Sequence, residues 1–131
     1  MIERTKEYRR IKKLSSDMKL VVSDEIFYLV ESDGGKDVGL VCLCPWKDDT
    51  LIAQVNLGED CRGRKAGEAY RNALEWAFRE TNYTNVFGII NSENKASRFM
   101  ARNVNFKFGG IDCDGYRCYN MSKSDFEQRN T

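Results

Sequence analysis

The sequence predicts an α/β (α+β) domain in which one mixed central sheet of about six strands is flanked by helices, and three observations predict it. Apolar runs of strand length, bounded by Gly, Asp, Asn and Pro, recur at Ile26–Glu31, Val38–Cys44, Leu51–Leu57, Val86–Ile90, Phe106–Ile111 and Tyr116–Met121. Between the third and fourth runs lies a strongly periodic helical stretch. A length of 131 residues suits a single domain, 1–131, whose core needs neither disulfide nor metal.

In chain order, Ile2–Leu14 reads as a helix with Ile2, Tyr8, Ile11 and Leu14 on or near one face. Arg4, Lys6, Arg9, Arg10, Lys12 and Lys13 cover the remainder. A solvated helix packed by its apolar stripe explains this better than a nucleic-acid patch, because no aromatic platform is interleaved with the charges. Ser15-Ser16-Asp17 closes the helix. The Ile26 run turns at Asp33-Gly34-Gly35-Lys36, a hairpin signal, into the Val38 run, which ends at Pro45-Trp46. Asp48-Asp49 makes the next turn, and the strand with Leu51, Ile52, Val55 and Leu57 follows. The helix from Lys65 to about Glu80 buries Ala66, Ala69/Tyr70, Ala73/Leu74 and Ala77/Phe78 at i, i+3, i+4 spacing. Val86–Ile90 is nearly all apolar, as a central strand should be. A second helix is expected over Asn94–Asn103, then a last hairpin around Asp114-Gly115. The polar tail, 123–131, is expected to fray.

A net charge of +1 provides no global field for nucleic acid or an anionic membrane. No apolar run approaches the about 18 residues of a spanning helix, and the first residues are charged, so a soluble, cytoplasmic chain is expected. Cys42, Cys44, Cys61, Cys113 and Cys118 are odd in number and lack framework spacing, which favours reduced thiols. Cys42-x-Cys44 with Cys113-x4-Cys118 would offer zinc four thiolates, but core packing accounts for them better and no metal is expected. The absence of histidine excludes Ser-His-Asp and Cys-His centres and any histidine base.

The stretch with most chemistry is the strand-to-helix turn Arg62-Gly63-Arg64-Lys65-Ala66-Gly67. The first N–H groups of a helix have no intrahelical acceptor, and with the dipole and the flanking cations they suit a phosphate or pyrophosphate. An ordinary loop with solvated arginines accounts for the turn alone equally well. Neither G-x-G-x-x-G nor G-K-S/T is present.

This turn resembles the acyl-CoA motif of the GNAT superfamily of N-acetyltransferases, Q/R-x-x-G-x-G/A, with Arg62 first, Gly67 last and Lys65 in a glycine slot. Downstream, Asn94-Lys95-Ala96-Ser97 through Asn105-Phe106 is similar to the family's N-x-x-A-x-x-x-Y-x-x-x-G-F, with Ala101 in the tyrosine slot. The resemblance spans Phe27 to Ser122, ahead of which the family usually has a strand and two helices. Only about one helix fits here, which leaves an open acceptor site suited to a peptide or protein amine.

The resemblance implies an N-acetyltransferase moving an acetyl group from acetyl-CoA to a primary amine by direct attack. Backbone groups of Val55 and Leu57 would pair with pantetheine, residues Arg62, Gly63, Arg64, Lys65, Ala66 and Gly67 would hold the pyrophosphate, and Asn94 would contact pantetheine or adenosine. Tyr116 or Tyr119 would replace the missing acid, and Asp49 or Asp48 would be the carboxylate base. The alternative is a catalytically silent GNAT-like assembly module, a homo-oligomer or part of a larger structure. Small proteins of that kind resemble some bacteriophage virion proteins, which would place the chain in a host cytoplasm or a virion.

Overall fold

A computed structural model of the chain describes residues 1–15, 22–58, 61, 64–91, 107–111 and 116–129; for 64, 89–91, 107–111, 116–118 and 129 it describes the backbone course only. The elements are β1 (Ile2–Thr5), α1 (Tyr8–Leu14), β2 (Phe27–Asp33), β3 (Lys36–Lys47), β4 (Thr50–Leu57), α2 (Arg64–Glu80), β5 (Asn85–Asn91), β6 (Lys107–Ile111), β7 (Tyr116–Ser122) and α3 (Lys123–Arg129). They build a seven-stranded sheet in the order β1-β2-β3-β4-β5-β7-β6. All neighbours are antiparallel except β4 and β5, which are parallel and joined by the crossover helix α2. The expected helix over Asn94–Asn103 lies outside the described residues.

The sheet alternates its side chains between two cores. On one face Leu29, Val41, Leu43, Leu51, Val86, Tyr119 and Met121 pack against Ala73, Leu74, Trp76, Ala77 and Phe78 of α2. Each fully buried aliphatic chain there contributes roughly 1.5–3 kcal/mol. On the other face Tyr28, Val30, Leu40 and Cys42 pack against Ile11 of α1.

Two expectations are corrected. Ile2–Leu14 is not one helix: Ile2–Thr5 forms β1, with Ile2 opposite Glu31 and Thr5 opposite Tyr28. Pairing along the open edge of β2 satisfies backbone groups and lets Ile2 reach the large core, which outweighs local helical preference. The shortened helix α1 buries only Ile11, and Tyr8 stands 59% exposed. β1 is also why the sheet has seven strands rather than about six. The tail does not fray from Ser122. Ser122 Oγ accepts the Asp125 N–H (3.1 Å) at the start of α3, and Phe126 packs on Phe78 with ring centroids 5.5 Å apart.

Candidate functional site

The site begins where two parallel strands part. β4 and β5 are paired from Thr50↔Asn85 to Ala53↔Gly88. Beyond that, β4 continues to Leu57 against β3, and β5 continues to Asn91 against β7. Among the described residues no β5 partner faces Gln54–Leu57, a length of about 13 Å at the usual rise per strand residue.

Ladder geometry shows what lines this gap. Gly58 N–H donates to Val38 C=O (2.8 Å). In an antiparallel ladder, pairs that exchange both backbone bonds alternate with pairs that exchange none. The bond next to it makes Gly39↔Leu57 a pair that exchanges none, Leu40↔Asn56 a pair that exchanges both, and Val41↔Val55 again none. The N–H and C=O groups of Val55 and Leu57 therefore point away from β3 and into the gap. Two peptide groups in a row face the side from which β5 has withdrawn.

The strand hands over to α2 through a segment anchored at Gly58 and Cys61. Cys61 N–H donates to Gly58 C=O (2.9 Å), and the Cys61 side chain is fully buried with Val38 and Ala69, against Leu57. This anchor sets the start of α2 beside the open end of the gap. The first turn of α2 carries no acidic residue to offset the positive end of its dipole. Lys65 Nζ lies 2.7 Å from Asp33 Oδ2 on the β2–β3 hairpin, an ion pair with both side chains about half exposed. Ala66 and Gly67 are buried against the fold.

The structure brings Val55, Leu57, Lys65, Ala66 and Gly67 together at one end of β4, with Arg64 opening α2. Arg62, Gly63 and Asn94 lie outside the described residues. Tyr119 is buried in β7, opposite Gly88 at the apex of the gap. Tyr116 begins β7 opposite Asn91, described as backbone only. Asp49 is elsewhere. It ends the β3–β4 turn, at the far end of β4, where its carbonyl accepts the N–H groups of Thr84 and Asn85 (both 3.0 Å) and its carboxylate accepts the Thr50 hydroxyl (2.8 Å). Asp48 shares that turn. About 26 Å of extended strand separates Asp49 from Leu57, and about 13 Å separates it from Ala53; its backbone carbonyl aligns β5 beside β4, and its carboxylate stays on the turn.

Cys42 is buried and Cys44 exposed, and burial pushes the Cys42 thiol up to about 12, with the neighbouring Cys44 adding to the rise. A thiol held protonated is an inert core residue. Cys113 lies outside the described residues, and Cys118 is described as backbone only. Two contributors to the site were not singled out from the sequence. Cys61, which anchors the loop, has no local signal. Gly88 has one, a lone glycine inside the apolar run Val86–Ile90.

No protein-family model matches the chain, and no curated protein matches it. Solved structures do. The dodecameric spermidine N-acetyltransferase from Vibrio cholerae aligns with a TM-score of 0.81 at 14% identity, covering 100% of this chain and 98% of that one. A chimera of that enzyme, SpeG, with hSSAT aligns at 0.80 and 14%, covering 97% and 99%. The aminoglycoside acetyltransferase AAC(6')-Ib, in complex with coenzyme A, aligns at 0.72 and 13%, covering 82% and 72%. The match runs through the mixed sheet and its crossover helix, and the chain therefore has the GNAT acetyltransferase fold.

Proposed function

We propose that the protein is an acyl-CoA-dependent N-acetyltransferase whose donor lies in the gap between β4 and β5. The observation that carries this reading is the pair of outward-facing peptide groups at Val55 and Leu57. An extended pantetheine arm, with its own amides, would complete the ladder that β5 leaves unfinished. The diphosphate would then meet the N-terminus of α2, with Arg62, Gly63, Arg64, Ala66 and Gly67 around it. Lys65 would exchange Asp33 for a phosphate oxygen. Asn94 is assigned to the pantetheine or adenosine side.

The amine nitrogen attacks the thioester carbonyl carbon, a C–N bond forms, the C–S bond breaks, and the thiolate leaves while the amine gives up a proton. Positioning of the two reactants does most of this work. The proton route is assigned to Tyr119, with Tyr116 nearer the mouth as the second candidate, or to water. Asp49 has no part in it. The acceptor is a primary amine. The structural neighbours named above act on polyamine and aminoglycoside amines, and the short seven-residue helix α1 fits an open site that admits a peptide or protein amine. The dodecameric neighbour makes a homo-oligomer a natural form.

Calorimetric titration with acetyl-CoA tests the reading. Micromolar binding is expected, reduced at least tenfold in Val55→Pro. Proline removes an N–H that β3 does not use and is tolerated where that group faces away from the ladder, so circular dichroism should still show a folded chain. Absence of heat at millimolar acetyl-CoA would leave the silent assembly module, phage-type or otherwise, for which the Lys65–Asp33 ion pair is a closed mouth.

A further inference from the structure

Gly88 is a glycine for which the fold itself gives no reason. It sits inside β5, where glycine weakens a strand relative to alanine. Its register with β7 runs unbroken from Asn85↔Ser122 to Asn91↔Tyr116, so it marks no bulge. The positive φ values among the described glycines belong to Gly34 and Gly35 of the hairpin, so no left-handed backbone requires it. Among the described residues crowding does not require it either, since a Cβ built there meets none of their atoms within 4 Å. Gly39 is the contrast: its Cβ would meet Leu57 Cδ2 at 2.6 Å, a packing reason for glycine.

A remaining reason for glycine in a strand is the close approach of a ligand, and the position of Gly88 fits it. Gly88 belongs to the last pair before β4 and β5 part, with Ala53 as one cross-strand neighbour and Tyr119 as the other. Leu51, Val86, Met121 and Tyr119 face the α2 core, and Ala53 packs against it. By strand alternation Gly88 opens toward that same face. A donor whose phosphates lie at the start of α2 and whose arm follows Leu57 and Val55 would bring its thioester end to Ala53 and Gly88.

Resting on that donor reading, we infer that the open space over Gly88, floored by Ala53 and walled by Tyr119, is an acyl-chain bay. It lets the same donor site take acyl groups longer than acetyl, with Gly88 setting the permitted length. The acyl carbons beyond the thioester enter space that a side chain would fill, and each buried methylene strengthens binding by about fourfold.

The test is calorimetry of the full chain with coenzyme A, acetyl-CoA and butyryl-CoA, against wild type and Gly88→Val. In the wild type, butyryl-CoA, with two more methylenes, is expected to bind about fifteenfold tighter than acetyl-CoA. In Gly88→Val that preference disappears, while coenzyme A itself binds within threefold of wild type. The variant should melt no lower than wild type, because valine is a good strand former and its Cβ meets no atom of the described residues within 4 Å. A melting point well below wild type in both Gly88→Val and Gly88→Ala would mean the space is occupied, and the bay falls. If coenzyme A binds and butyryl-CoA shows no advantage in the wild type, the bay is overturned and the donor site stands. If coenzyme A does not bind at all, the donor reading fails and takes the bay with it.

Discussion

Arg10 shows how the basic N-terminal face is spent within the molecule. Its guanidinium reaches both Asp37 carboxylate oxygens (2.7 and 2.8 Å) and Glu3 (2.7 Å), while Arg4 stacks over the Phe27 ring at 4.8 Å. The hydrogen bonds from Arg10 hold Asp37 below the usual carboxylate range, and those to Asp37, then Glu3, raise Arg10 in turn. With side chains 24% and 31% exposed, the Arg10–Asp37 pair contributes about 1 kcal/mol after solvent screening. Because the folded pKa of Asp37 is depressed, this stability is present above the unfolded value of about 3.9 and is lost as pH falls through the folded value. Asp37→Asn should therefore lower the urea midpoint at pH 7, with the gap to wild type closing as the pH falls below the ordinary carboxylate range. An unchanged gap in acid would show that the charge is not the source. At the same scale the resemblance named Val55 and Leu57, and the ladder turns their peptide groups away from β3. The resemblance also named Asp49, which the structure places at the opposite end of β4 from Leu57, because adjacency to a strand does not say at which of its ends a residue stands.

At the scale of elements, α3 is a short helix with two supports. The Ser122 hydroxyl caps its first turn, and Phe126, 9% exposed, is pressed onto Phe78 of α2. Ser122→Ala is expected to cost about 1 kcal/mol and Phe126→Ala about 3–5 kcal/mol in urea unfolding. A Phe126→Ala loss below about 1 kcal/mol would mean that α3 does not belong to the core. The polar composition of 123–131 was legible in the sequence, and it reads as a fraying tail. The contact that makes a seven-residue helix persist was not, since Phe78 lies 48 residues earlier (126 − 78). β1 presents the same problem in reverse. Ile2–Thr5 follows a helical pattern, but the edge of β2 supplies hydrogen-bond partners that an isolated helix end lacks.

For the molecule as a whole, the sheet consists of two parts, β1–β4 and β5-β7-β6, joined directly only over Thr50–Ala53 and Asn85–Gly88 among the described residues. A donor bound in the gap would bridge the two parts and stabilise the native state by mass action. At 100 times its dissociation constant this amounts to about 2.7 kcal/mol, or roughly 8–10 °C in melting temperature for a domain of this size. Acetyl-CoA that leaves the melting curve unmoved would favour the silent module. By itself the sequence determined the strands from β2 to β7 in their chain order, the buried face of α2 and the place of the strand-to-helix turn. Each of these follows from side-chain periodicity, which is written locally. Only the tertiary structure decided that β1 joins the sheet, that Asp49 stands at the far end from the gap, and that Val55 and Leu57 turn their peptide groups outward beside an open Gly88. Those outcomes depend on register between strands far apart in the chain, and register is set by which residues come to share a core.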